Sequence, residues 1–334
     1  MLALRAHAFD QPLQLDELPT PEPQPGEVRV RVQASGTSFF DMLIARGGYQ
    51  WRPDLPFTVG SEFAGVVEAL GQDANNKLDQ GEPPLQPGDR VFGASSIGAW
   101  CQQLCVPAHA LHRVARGATD RVAMDEAAVL SSPYGTALYG LRERGGIQAG
   151  DVVLVLGATG GVGLAAVQVA RALGARVIGG ASGPAKCAAV LEAGAHEALD
   201  LSQPDWKDRA KALAGPAGVN IVFDPVGGPA MDTAFRTLGW GGRLLVVGFA
   251  GGEIGSLRAN LAIVKGASLV GVDLRQFRER EPVAARRVFS DVARLHAQGA
   301  LRPHIAQRFA LAQHADAFAL AQRRDTVGRV LLLP

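Results

Sequence analysis

The 334-residue sequence has little cysteine and no excess of either charge. Its three cysteines are unevenly spaced, which excludes the paired disulfide framework of small secreted proteins and favours a reducing compartment. Lysine and arginine together number 33, aspartate and glutamate 32, and the net charge is +1. Because nucleic-acid binders need a basic excess that displaces counterions, we expect no nucleic-acid partner.

The sequence also has no hydrophobic run that requires a membrane. Residues 1–10 lack the apolar core of a signal peptide, so we expect no secretion and a cytoplasmic location. Residues 152–170 are uncharged over about the length of a bilayer span. The centre of this stretch reads GATGGVG, and glycine at that density is poor helix material. We therefore predict a strand, a turn and a helix there, and no membrane partner.

Two regions of different pattern follow one another along the chain, whose length allows about two domains. Residues 27–34 alternate apolar and polar side chains with period two, as half-buried strands do. From about residue 125, apolar strands alternate with helical patterns, which predicts an α/β fold with a doubly wound parallel sheet. The predicted elements there are strands 152–156, 176–179, 221–223, 244–247 and 269–272, with helices 161–173, 184–192 and 231–238.

The sharpest motif is the glycine-rich turn in residues 152–163, VVLVLGATGGVG, between a buried strand and a helix. This context indicates a dinucleotide-binding turn, in which glycines let the backbone approach a pyrophosphate and helix N–H groups bind it. A tight turn without a ligand is the alternative. The predicted contacts with the dinucleotide are Ala158, Thr159, Gly160, Gly161, Val162 and Gly163, with alanine in the first glycine position of the fingerprint.

The nucleotide is predicted from charge. No acidic residue occurs between Asp151 and Glu192, although an NAD site usually has one about 20 residues beyond the turn, bound to the ribose 2′-hydroxyl. The corresponding segment contains Ser182 and Lys186 instead. A hydroxyl and a cation in place of an acid suit a 2′-phosphate, so NADPH is the predicted cofactor. A solvated lysine in the first turn of a helix is the alternative for Lys186.

Several further segments carry a family resemblance. They read PFTVGSEFAGVVEALG (56–71), PGDRVFG (87–93), GAW (98–100), FDPVGG (223–228) and NLAIVKGASLVG (260–271). With the glycine turn, these segments resemble the zinc-independent medium-chain dehydrogenase/reductases, specifically the NADPH:quinone oxidoreductase (zeta-crystallin-like) group, over nearly the whole chain. The resemblance implies a GroES-like β-barrel catalytic domain from residues 1–124 and 267–334, an inserted Rossmann domain over 125–266, and a homodimer.

A metal is not expected. Zinc-containing relatives have a ligand histidine in a GHE motif, where this chain has Gly60-Ser61-Glu62, and serine is not a usual zinc ligand. The zinc-like spacing of Cys101, Cys105, His109 and His112 is better explained by buried thiols on one face of a strand.

The resemblance also implies residues of the active site. Tyr49 matches a tyrosine of the substrate pocket, which binds a substrate oxygen or supplies a proton, or merely fills the cleft wall. Ser38 stands where the family has asparagine and is our second candidate catalytic residue. Thr136 matches a threonine near the nicotinamide amide, Tyr134 falls in a segment that lines the site, and Asp41 matches an aspartate that acts as a structural cap.

The nicotinamide is expected beyond the carboxyl ends of the parallel strands. Gly248 and Phe249 follow one predicted strand there and are predicted cofactor contacts, while Gly227 and Gly228 follow another; ordinary turns are the alternative. Two positions depart from the family. Leu43 replaces a pocket tyrosine, and Leu201 replaces a tyrosine that often flanks the 2′-phosphate.

Taken together, these patterns predict a metal-independent reductase that transfers hydride from NADPH to a quinone or an activated C=C bond. Two alternatives remain open. The first is an enoyl-thioester or alkenal (2-enone) reductase, which a basic rim formed by the arginines of residues 275–287 would favour. The second is a nucleotide-binding sensor or structural protein with little catalysis.

Overall fold

The computed structural model describes residues 1–78, 82–114, 121–323 and 325–334, which form two compact units. Unit 1 consists of Met1–Ser132, Phe289–Ala297 and Pro303–Pro334. Unit 2 consists of Pro133–Val288 and Gln298–Arg302. The unit formed by the middle of the chain is therefore inserted into the sequence of the other.

The strands are short and numerous throughout the described part of the chain. In chain order they are β1 (Leu2–Ala6), β2 (Gln14–Glu17), β3 (Glu27–Gly36), β4 (Phe57–Thr58), β5 (Glu62–Leu70), β6 (Arg90–Ala94), β7 (Gln103–Pro107), β8 (Leu111–Arg113), β9 (Val152–Val155), β10 (Arg176–Ala181), β11 (Glu197–Asp200), β12 (Val219–Asp224), β13 (Leu238–Val246), β14 (Ser268–Gly271), β15 (Ile305–Ala310) and β16 (Arg329–Leu333).

The α-helices concentrate in the second half of the chain. They are α1 (Phe39–Ala45), α2 (Arg121–Ala127), α3 (Ser131–Leu138), α4 (Gly161–Ala172), α5 (Pro184–Glu192), α6 (Trp206–Ala214), α7 (Ala230–Phe235), α8 (Asn260–Lys265), α9 (Leu274–Arg280), α10 (Pro282–Ala297) and α11 (His314–Gln322). A π-helical turn, Tyr139–Arg144, continues α3, and 3₁₀ turns occur at Ala74–Lys77, Ala108–Ala110 and Leu311–Gln313.

Unit 2 contains a six-stranded sheet in the order β11-β10-β9-β12-β13-β14, with every pair parallel. All four residues of β9 are buried, as in a strand covered by helices on both faces. The order reverses between β9 and β12, and ligands of doubly wound sheets bind at such a switch point. The predicted α/β class with a doubly wound sheet is confirmed.

The position of β14 shows where the units change over. Its residues pair with β13 in register, from Arg243 opposite Ser268 to Val246 opposite Gly271, so this segment belongs to the sheet of unit 2. We predicted domain boundaries at residues 125 and 267. These boundaries stay a prediction; the first change between the compact units falls after residue 132 and the next after residue 288, and β14 lies within unit 2.

Unit 1 is built from two sheets. One has the order β2-β1-β4, and the other the order β15-β16-β3-β5-β6-β8, with β7 also paired to β3. Val28, Val30 and Val32 of β3 are buried, as the period-two pattern predicted. Strand β7 begins at Gln103, and Cys101 before it makes only an isolated bridge to Ala3.

Among the described residues, none of the helices combines the length and the apolar composition that a bilayer crossing requires.

Candidate functional site

The turn between β9 and α4 has the geometry of an anion-binding turn. Gly157 adopts a left-handed φ of +57°. It lies one residue before Ala158, which the sequence pattern matches to the first glycine of the fingerprint. At Gly163, a Cβ atom would stand 2.2 Å from the Gly157 carbonyl oxygen, so only glycine lets the helix pack this closely. Residues 156–163 are called the phosphate turn below.

Backbone donors of the phosphate turn point out of the first turn of α4. The first intrahelical hydrogen bond runs from Leu164 N to Gly160 O at 2.8 Å. The N–H groups of Gly161, Val162 and Gly163 precede it, so they have no acceptor within the helix and add to the positive end of its dipole. These three groups can bind a phosphate.

Ala158 and Thr159 hold the phosphate turn in place. Both residues are buried, and Ala158 N donates to Gly180 O at 2.9 Å, which ties the turn to the end of β10. The Ala158 N–H is therefore used within the protein, and direct contact of these two residues with a dinucleotide stays a prediction.

The loop from Ser182 to Lys186 connects β10 to α5 and is called the ribose loop below. Ser182 is exposed directly after β10 ends, and Gly183 turns the chain with a φ of +85°. Lys186 lies half-buried in the first turn of α5. The ribose loop itself contains no acidic residue, and it follows the strand next to β9, as the predicted 2′-phosphate site requires.

An acid that the sequence pattern missed supports the ribose loop from the next strand. Asp200 ends β11, and its Oδ1 accepts hydrogen bonds from Gly183 N at 2.9 Å and from the N and Oγ of Ser202 at 2.9 and 2.6 Å. The Ser202 hydroxyl, and then these backbone donors, hold the pKa of Asp200 below its usual range. Its charge is thus stabilised by local donors, and the carboxylate fixes the loop. The signal in the sequence was Asp200-Ser202, an aspartate followed by a serine at a strand end.

The carboxyl ends of β12 and β13 complete this edge of the sheet. Asp224 Oδ1 accepts from Val226 N at 2.8 Å and from Gly227 N at 2.9 Å, which shapes the loop after β12. A Cβ at Gly227 would stand 2.7 Å from the Phe249 ring, so the loop after β13 packs directly on this glycine. Gly248 and Phe249 are half-buried, and Thr136 is half-buried in α3. Their cofactor contacts stay predictions.

Unit 1 contains a buried polar cluster, defined here as Ser38, Asp41, Ser61, Glu62 and Arg329. Ser38 is the N-cap of α1: its Oγ accepts from Asp41 N at 3.1 Å, while its own N and Oγ donate to Asp41 Oδ2 at 2.9 and 2.6 Å. Burial raises the pKa of Asp41, an effect that the Ser38 and Ser61 hydroxyls and Arg329 oppose. Asp41 is a cap, as predicted, and Ser38 uses its hydroxyl in the same capping box.

Glu62 is the most buried acid of the polar cluster. Its side chain has no exposed surface and accepts from Arg329 Nη2 and from Ser132 N, the latter at 2.8 Å. Burial raises the pKa of Glu62 from 4.5 to about 7, against the attraction of Arg329. The ion pair joins β5 to β16, and no sequence pattern related these two residues.

Tyr49 lies outside the polar cluster, against α1. Its ring packs edge-on against Phe40, with ring centroids 5.0 Å apart and an interplanar angle of 82°. In the described part of the chain, no residue hydrogen-bonds the Tyr49 hydroxyl, and the residue is half-buried. A tyrosine with a fixed ring and an unbound hydroxyl suits the predicted contact with a substrate oxygen.

Comparisons with known proteins agree with these features. The family model described as "Alcohol dehydrogenase GroES-like domain" matches residues 24–130, and "Zinc-binding dehydrogenase" matches residues 161–290. The rat (Rattus norvegicus) "Quinone oxidoreductase-like protein 2" is 36% identical over 323 residues, which cover 96% of this chain and 89% of the rat protein. The chain belongs to the medium-chain dehydrogenase/reductase family.

Solved structures place the chain within the quinone oxidoreductase-like group of medium-chain reductases. A mycobacterial protein solved in complex with NADPH has a TM-score of 0.87 at 31% identity, with all of both chains covered. The quinone oxidoreductase of Thermus thermophilus, also solved with NADPH, has a TM-score of 0.84 at 29% identity, again with both chains fully covered. The family prediction is confirmed, and the chain is an oxidoreductase.

The residues with zinc-like spacing in this chain are two protonated thiols, an exposed imidazole at His109 and a packed imidazole at His112. Burial raises the pKa of Cys101 to about 12 and that of Cys105 to about 11. The His112 ring packs between Phe92 and Phe289, with centroid distances of 5.6 and 5.4 Å. Across the residues that the structure describes, no three His, Cys, Asp or Glu side chains are grouped as metal ligands.

Tyr134, in a segment predicted to line the active site, is held by contacts within unit 2. It is buried, and its hydroxyl donates to Gln168 Oε1 at 3.0 Å, while Gln168 also binds the backbone of Arg302. This tyrosine therefore links α3, α4 and the segment after α10 in unit 2.

Leu201 stands where the family has a tyrosine, and its side chain packs against Gly180. A Cβ atom at Gly180 would be 3.0 Å from the Leu201 side chain.

Proposed function

We propose that this medium-chain reductase binds NADPH at the phosphate turn and the ribose loop and reduces a quinone or the activated C=C bond of an enone, without a metal. NADPH supplies the hydride, from C4 of its nicotinamide ring, in relatives of this kind. The residues of this chain bind and orient the cofactor, hold the acceptor, and provide the proton that completes the reduction.

One observation carries the choice of cofactor. The helix donors of the phosphate turn are followed, on the adjacent strand β10, by a loop that carries the Ser182 hydroxyl and the Lys186 ammonium group and has no acid of its own, while the neighbouring Asp200 carboxylate is bound by Gly183 and Ser202. A 2′-phosphate would be repelled by the acid of an NAD site and is attracted by a lysine. Two solved relatives were obtained as NADPH complexes, which supports this assignment.

Tyr49 is the proposed contact for the acceptor in unit 1. Its ring is fixed against Phe40, and its hydroxyl is available to an oxygen of a flat, uncharged acceptor. Quinones and enones both fit this chemistry, because neither needs a charged side chain for recognition.

Steady-state NADPH oxidation with a panel of quinones and enones tests the function. We expect turnover with at least one class, and Tyr49→Phe to lower kcat/KM for it about 10-fold while the NADPH dissociation constant is unchanged. Tyr139→Phe is the matched control, since that ring is stacked on Phe277 at 4.0 Å. Tight NADPH binding without turnover of any acceptor would instead indicate the nucleotide-binding sensor.

A thioester acceptor is disfavoured by the arginines of residues 275–287. Both carboxylate oxygens of Glu279 accept from Arg275 Nη1, at 2.7 and 2.9 Å. Arg286 is buried, and it and Arg278 have partners within the protein. Three of the five arginines in this segment are therefore engaged within the protein, which leaves the exposed Arg280 and Arg287 for a coenzyme A phosphate.

The homodimer is proposed to form at the β14 edge of unit 2. The side chains of Trp240 and Ile263 are 86% and 84% exposed, and Val264 and Leu269 are exposed beside them in sequence and sheet. Large apolar groups at an unpaired sheet edge favour association with a second copy. Light scattering after size exclusion tests this: we expect a dimer for the natural protein and a monomer for Trp240→Glu. A natural protein that elutes as a monomer at micromolar concentration would refute it.

A further inference from the structure

A cavity in unit 1 lies between α1, α11 and the loop that connects β1 to β2. Its walls are residues 10–13 of the loop, the C-terminal end of α1 and one face of α11, and it is called the α1–α11 cavity below. All of its lining residues belong to unit 1, and the residues proposed above as cofactor or acceptor contacts are not among them. Its volume of about 280 Å³ is at the lower end of the range for small-molecule sites.

Hydrogen bonds join the walls of the α1–α11 cavity to one another. Asp10 N donates to the Ala45 carbonyl oxygen at 3.2 Å, which ties the loop to α1. Arg46 Nη2 donates to Gln322 Oε1 at 2.9 Å and joins α1 to α11. The shape of the cavity therefore exists without a ligand, and its walls need little ordering when a ligand binds.

The base of the α1–α11 cavity is aromatic. Trp100 is fully buried, and its Nε1 donates to Gly36 O at 3.0 Å, which fixes the indole ring. The ring centroids of Trp100 and Phe318 are 5.0 Å apart, and those of Phe318 and His314 are 5.8 Å apart. Phe318 is half-buried. An aromatic ring of a ligand would pack against this surface.

Two exposed groups of opposite charge, Asp10 and Arg46, stand at the mouth of the cavity and do not pair with each other. Within the described residues, the Asp10 carboxylate has no hydrogen bond or ion pair, and the contact with Gln322 is the one side-chain hydrogen bond of Arg46. A ligand with a single charge is attracted by one of these groups and repelled by the other. A zwitterion is attracted by both, so charge favours a zwitterionic ligand.

His314 supplies a third polar group of the cavity wall. Its Nδ1 is buried and, in the part of the chain that the structure describes, has no hydrogen-bond partner. Such an atom has lost its hydrogen bonds to water unless a ligand replaces them. Nδ1 of a neutral imidazole either donates or accepts, according to its tautomer, whereas a hydroxyl group does both. A phenol hydroxyl therefore suits either tautomer of His314.

We propose that the α1–α11 cavity binds a free aromatic amino acid of the tyrosine type. The ammonium group of the ligand binds Asp10, and its carboxylate binds Arg46. Its ring packs against Phe318, and its hydroxyl binds His314 Nδ1. The spacing of the walls agrees with this orientation: Gln322, which holds Arg46, lies eight residues after His314, about 12 Å along α11, so the charged groups and the imidazole stand at opposite ends of the cavity. The assignment does not depend on the proposed function, and binding involves no covalent step.

The first test removes one group of the ligand at a time. Dissociation constants are measured by ligand-observed NMR titration of the full chain. L-tyrosine should bind at least 10-fold more tightly than tyramine, which lacks the carboxylate, and than 3-(4-hydroxyphenyl)propanoate, which lacks the ammonium group. L-phenylalanine, which lacks the hydroxyl, should bind about 5-fold more weakly than L-tyrosine. No binding of L-tyrosine at millimolar concentration, or equal affinities for L-tyrosine and both single-charge analogues, would overturn the proposal.

The second test assigns each group of the ligand to its residue. Asp10→Asn should remove the advantage of L-tyrosine over 3-(4-hydroxyphenyl)propanoate, and Arg46→Met its advantage over tyramine. His314→Phe keeps a ring beside Phe318 and should make the affinities for L-tyrosine and L-phenylalanine equal. Asp54→Asn is the matched control, because Asp54 is an exposed aspartate of the same unit that does not line the cavity. Equal losses of L-tyrosine affinity in Asp10→Asn and Asp54→Asn would contradict the site.

A measurement on the same samples keeps this proposal separate from the proposed function. The variants leave the phosphate turn and the ribose loop unchanged, so their NADPH dissociation constants should equal that of the natural protein, which also shows that they are folded. Binding of L-tyrosine by a natural protein that ignores NADPH would refute the proposed function and leave the α1–α11 cavity as a site. Binding of NADPH without any binding of L-tyrosine would refute the site alone.

Discussion

The phosphate turn of unit 2 and the polar cluster of unit 1 are made of different groups. The phosphate turn uses backbone N–H groups, presented by glycines within eight consecutive residues, and its geometry is complete without a ligand. The polar cluster uses side chains from β5, α1 and β16, which come from both ends of the chain, and it buries two acids around one arginine. The phosphate turn is formed by one short segment and does not depend on buried charges. The polar cluster is stable only when all of its charged side chains are present.

The largest difference between the two regions should appear when the buried ion pair is broken. Arg329→Met leaves Glu62 buried without its cation, and we expect a loss of about 3–5 kcal/mol in the free energy of unfolding, measured by urea denaturation. Arg323→Met is the control, because the Arg323–Asp325 pair is exposed and screened by solvent, so its loss should change the free energy of unfolding far less. Equal losses for the two variants would show that burial of Glu62 is not the source of the effect.

Alanine substitutions in the phosphate turn should distinguish an effect on packing from an effect on cofactor binding. Gly163→Ala places Cβ 2.2 Å from the Gly157 carbonyl oxygen, and we expect about 1–3 kcal/mol of destabilisation. At Gly160 the nearest atom is 3.5 Å away, so Gly160→Ala should unfold like the natural protein but bind NADPH more weakly. Denaturation and NADPH titration on both variants check this. Unchanged NADPH affinity in Gly160→Ala would show that the pyrophosphate does not bind at this turn.

NADPH affinity at the ribose loop should depend on the charge of Lys186. Lys186→Ala should weaken NADPH about 10- to 30-fold, the effect of one charge-assisted hydrogen bond to phosphate, and leave NADH affinity nearly unchanged. Lys207→Ala is the matched control, since that lysine lies on α6 beside Asp208. Isothermal titration with both coenzymes measures the two affinities. An equal loss of affinity for NADPH and NADH would show that Lys186 does not contact the 2′-phosphate.

The titration of Glu62 should make the stability of the protein depend on pH. The folded pKa of Glu62, about 7, lies above its ordinary value of 4.5. Between these values the folded state holds a proton that the unfolded state has lost, so this group contributes stability at low pH that disappears as pH rises towards 7. Relative to Glu62→Gln, the natural protein should lose up to about 1.4 kcal/mol per pH unit in this interval. Urea denaturation of both proteins at pH 5, 6 and 7 measures how the free energy of unfolding changes with pH. An equal change in the two proteins would mean that Glu62 is ionised throughout this interval.

The same contrast explains what could be predicted from the sequence. The doubly wound sheet and the helix over residues 184–192 followed from local patterns, because apolar runs and glycine spacing act over neighbouring residues. The strands β1, β11 and β15 were not predicted, since their short segments mix apolar and polar residues and are stabilised by neighbours in the sheet.

The site residues divide in the same way. The positions of Gly160 and Gly163 were predictable, because the backbone of one short segment determines them. The contact of Asp200 with Gly183 and that of Glu62 with Arg329 were not, because each joins residues from different strands, and in the second case 267 positions apart in sequence. Local patterns carry no information about such partners.

The pairing of β16 with β3 has a consequence for synthesis of the chain. Leu331 and Leu332 pair with Gly36 and Ser35, and Thr37 donates to the Val330 carbonyl, 293 positions away in sequence. While a ribosome is still translating this protein, every strand of the six-stranded sheet emerges before β16 does. The inserted unit therefore has time to fold co-translationally, whereas the pairing of β16 with β3 forms only after translation has passed residue 333.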